Sequence, residues 1–350
     1  MPQPSITLYI PGLFAAAAEP AQLTALLKEM PFDDLTALEL LLARAQQQRS
    51  EHSGIEQRLF SLFGIPAAVG DWPVAAVTRL IDGGTADGHY WLRADPVHMQ
   101  PSHDQVIMAG NHQLNVSGAE MAQLRDEFNQ LCRDDGLQLE TPVNQRWYLR
   151  VERTPQITTT PLSAVVGQGI YPHLPQGAEG LYWNRLLSEV QMLFYGSSVN
   201  QQRRQQGLPE INSLWFWGGG QLPVVNTTTT PWHQLWSNEL LSRGLAHLFQ
   251  VKTSSLPATG EEWLEQASVA GQHLVVIDGM RQRYNQPEEL MQWQGVVQEL
   301  NQSWFVPLLA ALKSGDLSEI SLISDGHHFQ LNRKQLGRWW QRRRPFSQYL

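Results

Sequence analysis

The run VNQQRRQQGLPEINSLWFWGGG, residues 199–220, concentrates side chains suited to holding an anion. Arg203 offers a planar guanidinium fork that matches carboxylate or phosphate. Asn200 stands three residues before it, and Gly218, Gly219 and Gly220 close an apolar stretch. Backbone N–H groups of a Gly-rich turn can cradle phosphate; close backbone packing explains three glycines equally well. Two other segments place metal-ligating types at the ends of apolar runs: Asp278 after His273–Ile277, and Asp325, His327 and His328 after Glu319–Ile323. Plain polar loop residues at strand ends are the alternative there. His98, His103 and His112, with Asp95 and Asp104, are also close in sequence, but their spacings fit no compact ligand motif and exposed histidines are expected. Near the C-terminus lie Arg333, Lys334, Arg338, Trp339, Trp340, Arg342, Arg343 and Arg344. Such a segment can dock an acidic partner, or a nucleic-acid strand by cation contacts and stacking. A solvated helix face with packed tryptophans is the commoner outcome.

The elements that must position these residues alternate. Ser5–Ile10 reads as a strand turning at Pro11-Gly12 into a helix. Asp33 or Asp34 caps a helix with Leu35, Leu38, Leu41, Leu42 and Ala45 on one face. Leu186, Leu187, Val190, Leu193 and Phe194 recur at helical spacing, and Leu214–Trp217 suits a buried strand. Apolar strands ending in Asp or Gly between helices predict a mostly parallel α/β sheet. Sites in such sheets lie at the carboxyl ends of strands, here the segments after Ile10, Trp217, Ile277 and Ile323. A middle section differs. His89–Asp95 and Trp147–Glu152 read as strands, and Ser117-Gly-Ala-Glu120 is a capping box opening a helix with Met121, Leu124, Phe128, Leu131 and Cys132 inward. The Thr-rich patches 158–160 and 227–230, each followed by proline, read as loops.

The order Val199-Asn200, Arg203, Gly207-x-Pro209, Asn212 resembles a segment of the archaeal-type cofactor-independent phosphoglycerate mutases, in the alkaline-phosphatase-like superfamily. Phe60-Ser61-Leu62-Phe63-Gly64 and the middle section, with Arg93-Ala-Asp95, Val106–Gly110 and Gln145-Arg146-Trp147, resemble the same family. The resemblance implies an alkaline-phosphatase-like α/β domain, residues 1–88 and 158–350, with a smaller α+β insert at 89–157. It makes Arg93, Arg146 and Arg203 candidates to face phosphoglycerate; ordinary salt bridging is the alternative for each. Family chemistry needs two divalent metals held by Asp and His and a Ser or Thr nucleophile that is transiently phosphorylated. Several of those positions are altered: Pro11 replaces an aspartate, Ile55 takes the serine position, Arg281 and Asn285 fall where Asp and His are expected, and Gly326 takes a histidine position. Arg281 is opposed there by its fixed charge. Asp325 is kept, and Asp278, Asp325 and His327, or His328 swung inward, make one residual metal site; a polar strand end is the preferred alternative.

The bulk properties narrow the function. With 350 residues and 42% hydrophobic content the chain can build one large core or a large domain with an insert. A net charge of −8 argues against a dedicated nucleic-acid binder. Cys132 is the only cysteine, which excludes an intrachain disulfide and fits a reducing cytoplasm. Ile6–Ala18 is apolar but has no basic residue before it, so a signal peptide is not expected. The expectation is a catalytically degenerate, cytoplasmic relative acting as a regulatory or scaffold protein, similar to the bacterial RpfE-type proteins labelled regulatory. No cofactor is expected, with manganese or zinc as the alternative. A phosphorylated small molecule and a protein partner at Arg333–Arg344 are the candidate ligands; direct nucleic-acid or membrane binding is not expected. A metal-dependent phosphotransferase or phosphohydrolase with rearranged ligands is the first alternative. An accessory protein to a nucleic-acid enzyme is the second.

Overall fold

The computed structural model describes residues 3–14, 31–49, 54–66, 70–102, 105–111, 114–226, 230–267, 269–280 and 287–350. The chain divides into two compact units, Met1–Gly64 with Asn226–Leu350, and Ile65–Val225. The second contains the expected insert, 89–157, together with the helices on either side of it. The helix expected after Gly12 falls outside the described residues.

The first unit is built on a seven-stranded sheet. Its strands are β1 (Ser5–Tyr9), β2 (Gln46–Arg49), β8 (Trp232–Trp236), β9 (Lys252–Ser254), β10 (Gln272–Val276), β11 (Glu319–Ser324) and β12 (His327–Asn332), in the order β2-β12-β11-β1-β10-β8-β9. β11, β1, β10, β8 and β9 run parallel; β12 and β2 are antiparallel additions at one edge. β1 lies between β11 and β10, with Ile6, Leu8 and Tyr9 buried and Ser5 and Thr7 half-buried. Ile6, Leu8, Val275, Ile320 and Leu322 share one core with the helices Thr36–Arg44, Pro287–Leu300 and Val306–Ser314. The Thr36 helix buries Leu38, Leu41 and Leu42, and the Asp34 carboxylate accepts from Thr36 N at 3.3 Å.

His273 of β10 is fully enclosed. Its Nδ1 accepts from Trp236 Nε1 at 3.1 Å, so Nε2–H is left to donate to Val269 O at 3.0 Å. Burial holds this imidazole below its ordinary value, as it does for His327 and His328. The folded state therefore prefers neutral His273 and the unfolded chain takes up the proton more readily. Stability from this group is complete above the unfolded value of 6.5 and is lost as pH falls below it. Denaturation midpoints should drop between pH 7 and 5, with a shallower slope in His273→Gln; an unchanged slope would refute the assignment.

The second unit holds an antiparallel sheet of β3 (Tyr90–Ser102), β4 (Gln105–Gly110), β5 (Leu137–Val143), β6 (Arg146–Val151) and β7 (Ser213–Gly220). β3 is its axis, pairing with β6, β4 and β7. Side chains alternate by face. Leu92, Ala94, Trp147, Leu149, Leu214 and Phe216 form one core with the helices Gly118–Leu131 and Gly180–Gly196. Trp91 and Tyr148 point to the other face, where the helix Val74–Ile81 packs. The Ser117–Glu120 capping box is formed, worth about 1 kcal/mol. Leu124, Phe128 and Cys132 are buried as expected, but Leu131 points outward at 40% exposure. β7 corrects a second expectation. It belongs to this antiparallel sheet, and the three glycines continue the strand rather than forming a loop at a parallel strand end. An apolar run covered on both faces has the same sequence texture in either kind of sheet.

Candidate functional site

At the carboxyl end of β1 the chain turns through Pro11-Gly12-Leu13. Asp325, at positive φ between β11 and β12, reaches this turn: Oδ1 accepts from Gly12 N at 3.0 Å and Oδ2 from Phe14 N at 3.1 Å. Ser324 Oγ also donates to Oδ2, at 2.7 Å, and accepts from Leu13 N at 3.3 Å. Both Asp325 oxygens thus serve the chain's own N–H groups. Asp278 stands half-buried just beyond the carboxyl end of β10. His327, half-buried, is flanked by Phe14 and Phe329, 5.3 and 5.9 Å between ring centroids, and its Nδ1 meets Gln47 Nε2 at 3.1 Å. His328 Nε2 is 2.6 Å from Ser321 Oγ. Burial, reinforced by the charges of Arg49 and Arg58 respectively, disfavours protonation of the two rings. Among the described residues no three or more His, Cys, Asp or Glu side chains are grouped to hold a metal ion. Asp278, Asp325, His327 and His328 form no such group. Arg281 and Asn285 lie outside the described residues. Ile55 opens the helix Ile55–Leu62 after Gly54.

In the second unit, alternation puts Arg93, Asp95, Arg146, Tyr148 and Trp217 on the face toward Val74–Ile81. Arg93 pairs with Asp95 at 2.6 Å, both enclosed, and lies over the Tyr148 and Trp217 rings. Trp217 Nε1 donates to the second Asp95 oxygen at 2.8 Å. Burial pushes the Asp95 carboxyl up, against the pull of Arg93. Arg146 grips Asp82 with two bonds of 2.7 and 2.6 Å, and Tyr148 Oη donates to the same carboxylate at 2.6 Å. Burial raises Asp82, but the bonds from Arg146 and Tyr148 outweigh it and the net shift is downward. Arg79 is occupied in the same way, by Asp87 and Glu140. This face therefore pairs its cations internally; Arg146, at 35% side-chain exposure, is the most open of the expected arginines. The sequence reading missed Asp82, Tyr148 and Arg79. Tyr148 shares the face of Arg146 by strand alternation, which was the available signal; Arg79 and Asp82 lie on and just after the helix Val74–Ile81 and had none.

Asn200 and Arg203 are interior. Asn200 donates to Phe194 O and Ile211 O and accepts from Ile211 N, clamping the helix Ser198–Gln205 to the entry of β7. Arg203 donates to Glu120, Pro209 O and Leu114 O. Gly218 N is satisfied by Thr159 Oγ1 at 3.1 Å, and Asp71 accepts from Gly219 N. A Cβ at Gly219 would come 2.4 Å from Tyr90 Oη, and one at Gly220 2.5 Å from Pro73 Cβ. Close packing accounts for these two glycines. His98 Nδ1 bonds Glu210 O at 2.8 Å and lines a cavity of about 560 Å³ with Met99, Tyr171, Asn184, Gln191 and Tyr195. None of the expected anion ligands lines it. His103, Asp104 and His112 lie outside the described residues.

One unit has a mostly parallel sheet flanked by helices and the other an antiparallel sheet, a mixed α/β architecture. No protein-family model matches the chain. It is 27% identical over 168 residues to a probable 2,3-bisphosphoglycerate-independent phosphoglycerate mutase of Geobacter sulfurreducens, covering 47% of this chain and 41% of the relative. It is 31% identical over 77 residues to the 2,3-bisphosphoglycerate-independent phosphoglycerate mutase of Methanosarcina barkeri, 22% of this chain and 18% of that one. The matches thus span less than half the length of those relatives. Among solved structures, the cofactor-independent phosphoglycerate mutase of Thermoplasma acidophilum aligns over 95% of this chain and 90% of its own, with 16% identity and a TM-score of 0.50. The PH0037 protein of Pyrococcus horikoshii aligns over 95% and 88%, with 11% identity and a TM-score of 0.56. The chain has the fold of the cofactor-independent phosphoglycerate mutases and is related to them in sequence. No helix among the described residues is long and apolar enough to cross a membrane.

Proposed function

We propose that this chain is a catalytically degenerate relative of the cofactor-independent phosphoglycerate mutases, of the bacterial RpfE type, that acts in the cytoplasm by binding rather than by turnover. The observation that carries the reading is the use of Asp325: Oδ1 accepts from Gly12 N and Oδ2 from Phe14 N and Ser324 Oγ, so most of its acceptor sites serve the chain itself. Pro11 itself offers no ligand, and Ile55 has no group to receive a phosphoryl. A free, buried Cys132 is consistent with a reducing compartment. Anion binding, where retained, rests on Arg146, which is paired with Asp82 but 35% exposed, whereas Arg93 and Arg203 are enclosed with their partners.

Metal analysis of the purified full chain, with mutase and phosphatase assays in added manganese or zinc, tests this reading. The expected outcome is substoichiometric metal and no turnover above the uncatalysed rate. Stoichiometric metal together with a turnover abolished in Asp325→Asn would overturn it.

A further inference from the structure

The segment 333–350 has six basic residues and no acidic one, in a chain whose net charge is −8. It does not pack as the solvated helix face expected from sequence. Its α-helical part is only Arg333–Leu336, opened by a capping box between Asn332 and Gln335, and a single 3-10 turn follows at Phe346–Gln348. Leu336 is in the core, and its carbonyl accepts from Arg44 Nη1. Beyond the loop, Phe346 is 1% exposed, stacked on Trp293 and set edge-on to Phe32. Phe346 N donates to Glu39, and Arg343 bonds Thr36 Oγ1 and pairs with Glu39. The nine residues from Gly337 to Pro345 are therefore tied down at both ends.

From this anchored loop two indoles project into solvent. Trp339 is 79% and Trp340 64% exposed, their rings edge-to-face at 6.1 Å and 82°. Arg343 has its acid, whereas Arg333, Lys334, Arg338, Arg342 and Arg344 have no carboxylate partner among the described residues. Two adjacent exposed tryptophans among unpaired arginines have the composition of an interface hot spot: Trp and Arg dominate such sites, and an anchored loop loses little freedom on binding.

We infer that the loop Gly337–Pro345 is a docking surface for a short acidic segment of a protein partner, its apolar side chains seated against Trp339 and Trp340 and its carboxylates on the surrounding arginines. The geometry disfavours nucleic acid, because consecutive bases stack in parallel and rings crossed at 82° cannot both take one. It also disfavours a bilayer or a long polyanion, which would face the acidic remainder of the chain. A short segment senses only charges within about 8 Å at physiological salt. The inference stands whether or not the strand ends of the first unit carry out chemistry.

Deleting the segment is a poor test, since Phe346 belongs to the core. Fluorescence anisotropy with the full chain and a labelled peptide alternating glutamate with leucine is direct, alongside oligo-dT and phosphatidylglycerol vesicles. Saturable, salt-sensitive peptide binding is expected, weakened about tenfold or more in Trp339→Ala/Trp340→Ala and in Arg342→Glu/Arg344→Glu. Both variants should keep the parent melting temperature. Absence of peptide binding, binding unchanged in both variants, or tighter binding to oligo-dT or vesicles than to the peptide would overturn the inference.

Discussion

Replacing Arg203 with alanine is expected to cost about 3–5 kcal/mol of stability, the range for breaking one side of a buried ion pair. Arg203 is 1% exposed and joins three segments by bonds to Glu120 at 2.8 Å, Pro209 O at 2.7 Å and Leu114 O. Alanine leaves two carbonyls and a carboxylate without their donor. Glu120 also closes the Ser117 capping box, so the loss reaches the start of the helix Gly118–Leu131. Arg204→Ala is the control. Its partner Glu210 lies at a comparable 2.7 Å but the side chain is 38% exposed, and such pairs contribute about 1 kcal/mol or less. Urea denaturation followed by tryptophan fluorescence compares the two. Equal losses would refute the structural role, and an intact transition with lost anion affinity would return Arg203 to the ligand-binding set.

Gly12→Ala should be similarly damaging in the first unit. Gly12 sits at φ +84°, and a Cβ there would lie 2.0 Å from the Met280 carbonyl oxygen. Because the obstacle is backbone, relief requires moving the segment after β10 or the turn after β1, and the latter carries the bonds to Asp325. Positive φ alone costs an alanine about 1–2 kcal/mol; the clash should bring the total to roughly 3 kcal/mol or more. Gly64→Ala separates the two contributions, since Gly64 is at φ +75° and a Cβ added there would meet nothing within 4 Å. Thermal melting should show the Gly12 variant well below the Gly64 variant; coincident melting curves would mean that the turn is not clamped.

The elements were legible because their patterns are local. Alternation, helical spacing and the Ser117 capping box each involve a few consecutive residues, and β1, β10 and β11 appear within a residue or two of their expected bounds. Sheet membership was not legible for β7, since an apolar aromatic run does not encode its partner. The site was least legible. The family resemblance marked Arg93 and Arg146 as anion ligands, but Asp95 is two residues from Arg93 while Asp82 is 64 positions from Arg146. Long-range neutralisation of that kind has no sequence signature. The segment 199–220 identifies ancestry through residues that the fold needs: Asn200 and Arg203 as clamps, Gly219 and Gly220 as spaces.

The bonds from Gly12 and Phe14 to Asp325 change what a surviving aspartate means in this lineage. A carboxylate that fastens a turn contributes to folding with or without a reaction to catalyse. An acid at a strand end therefore does not by itself report turnover. The partner atoms of the carboxylate, rather than its presence, separate the two histories.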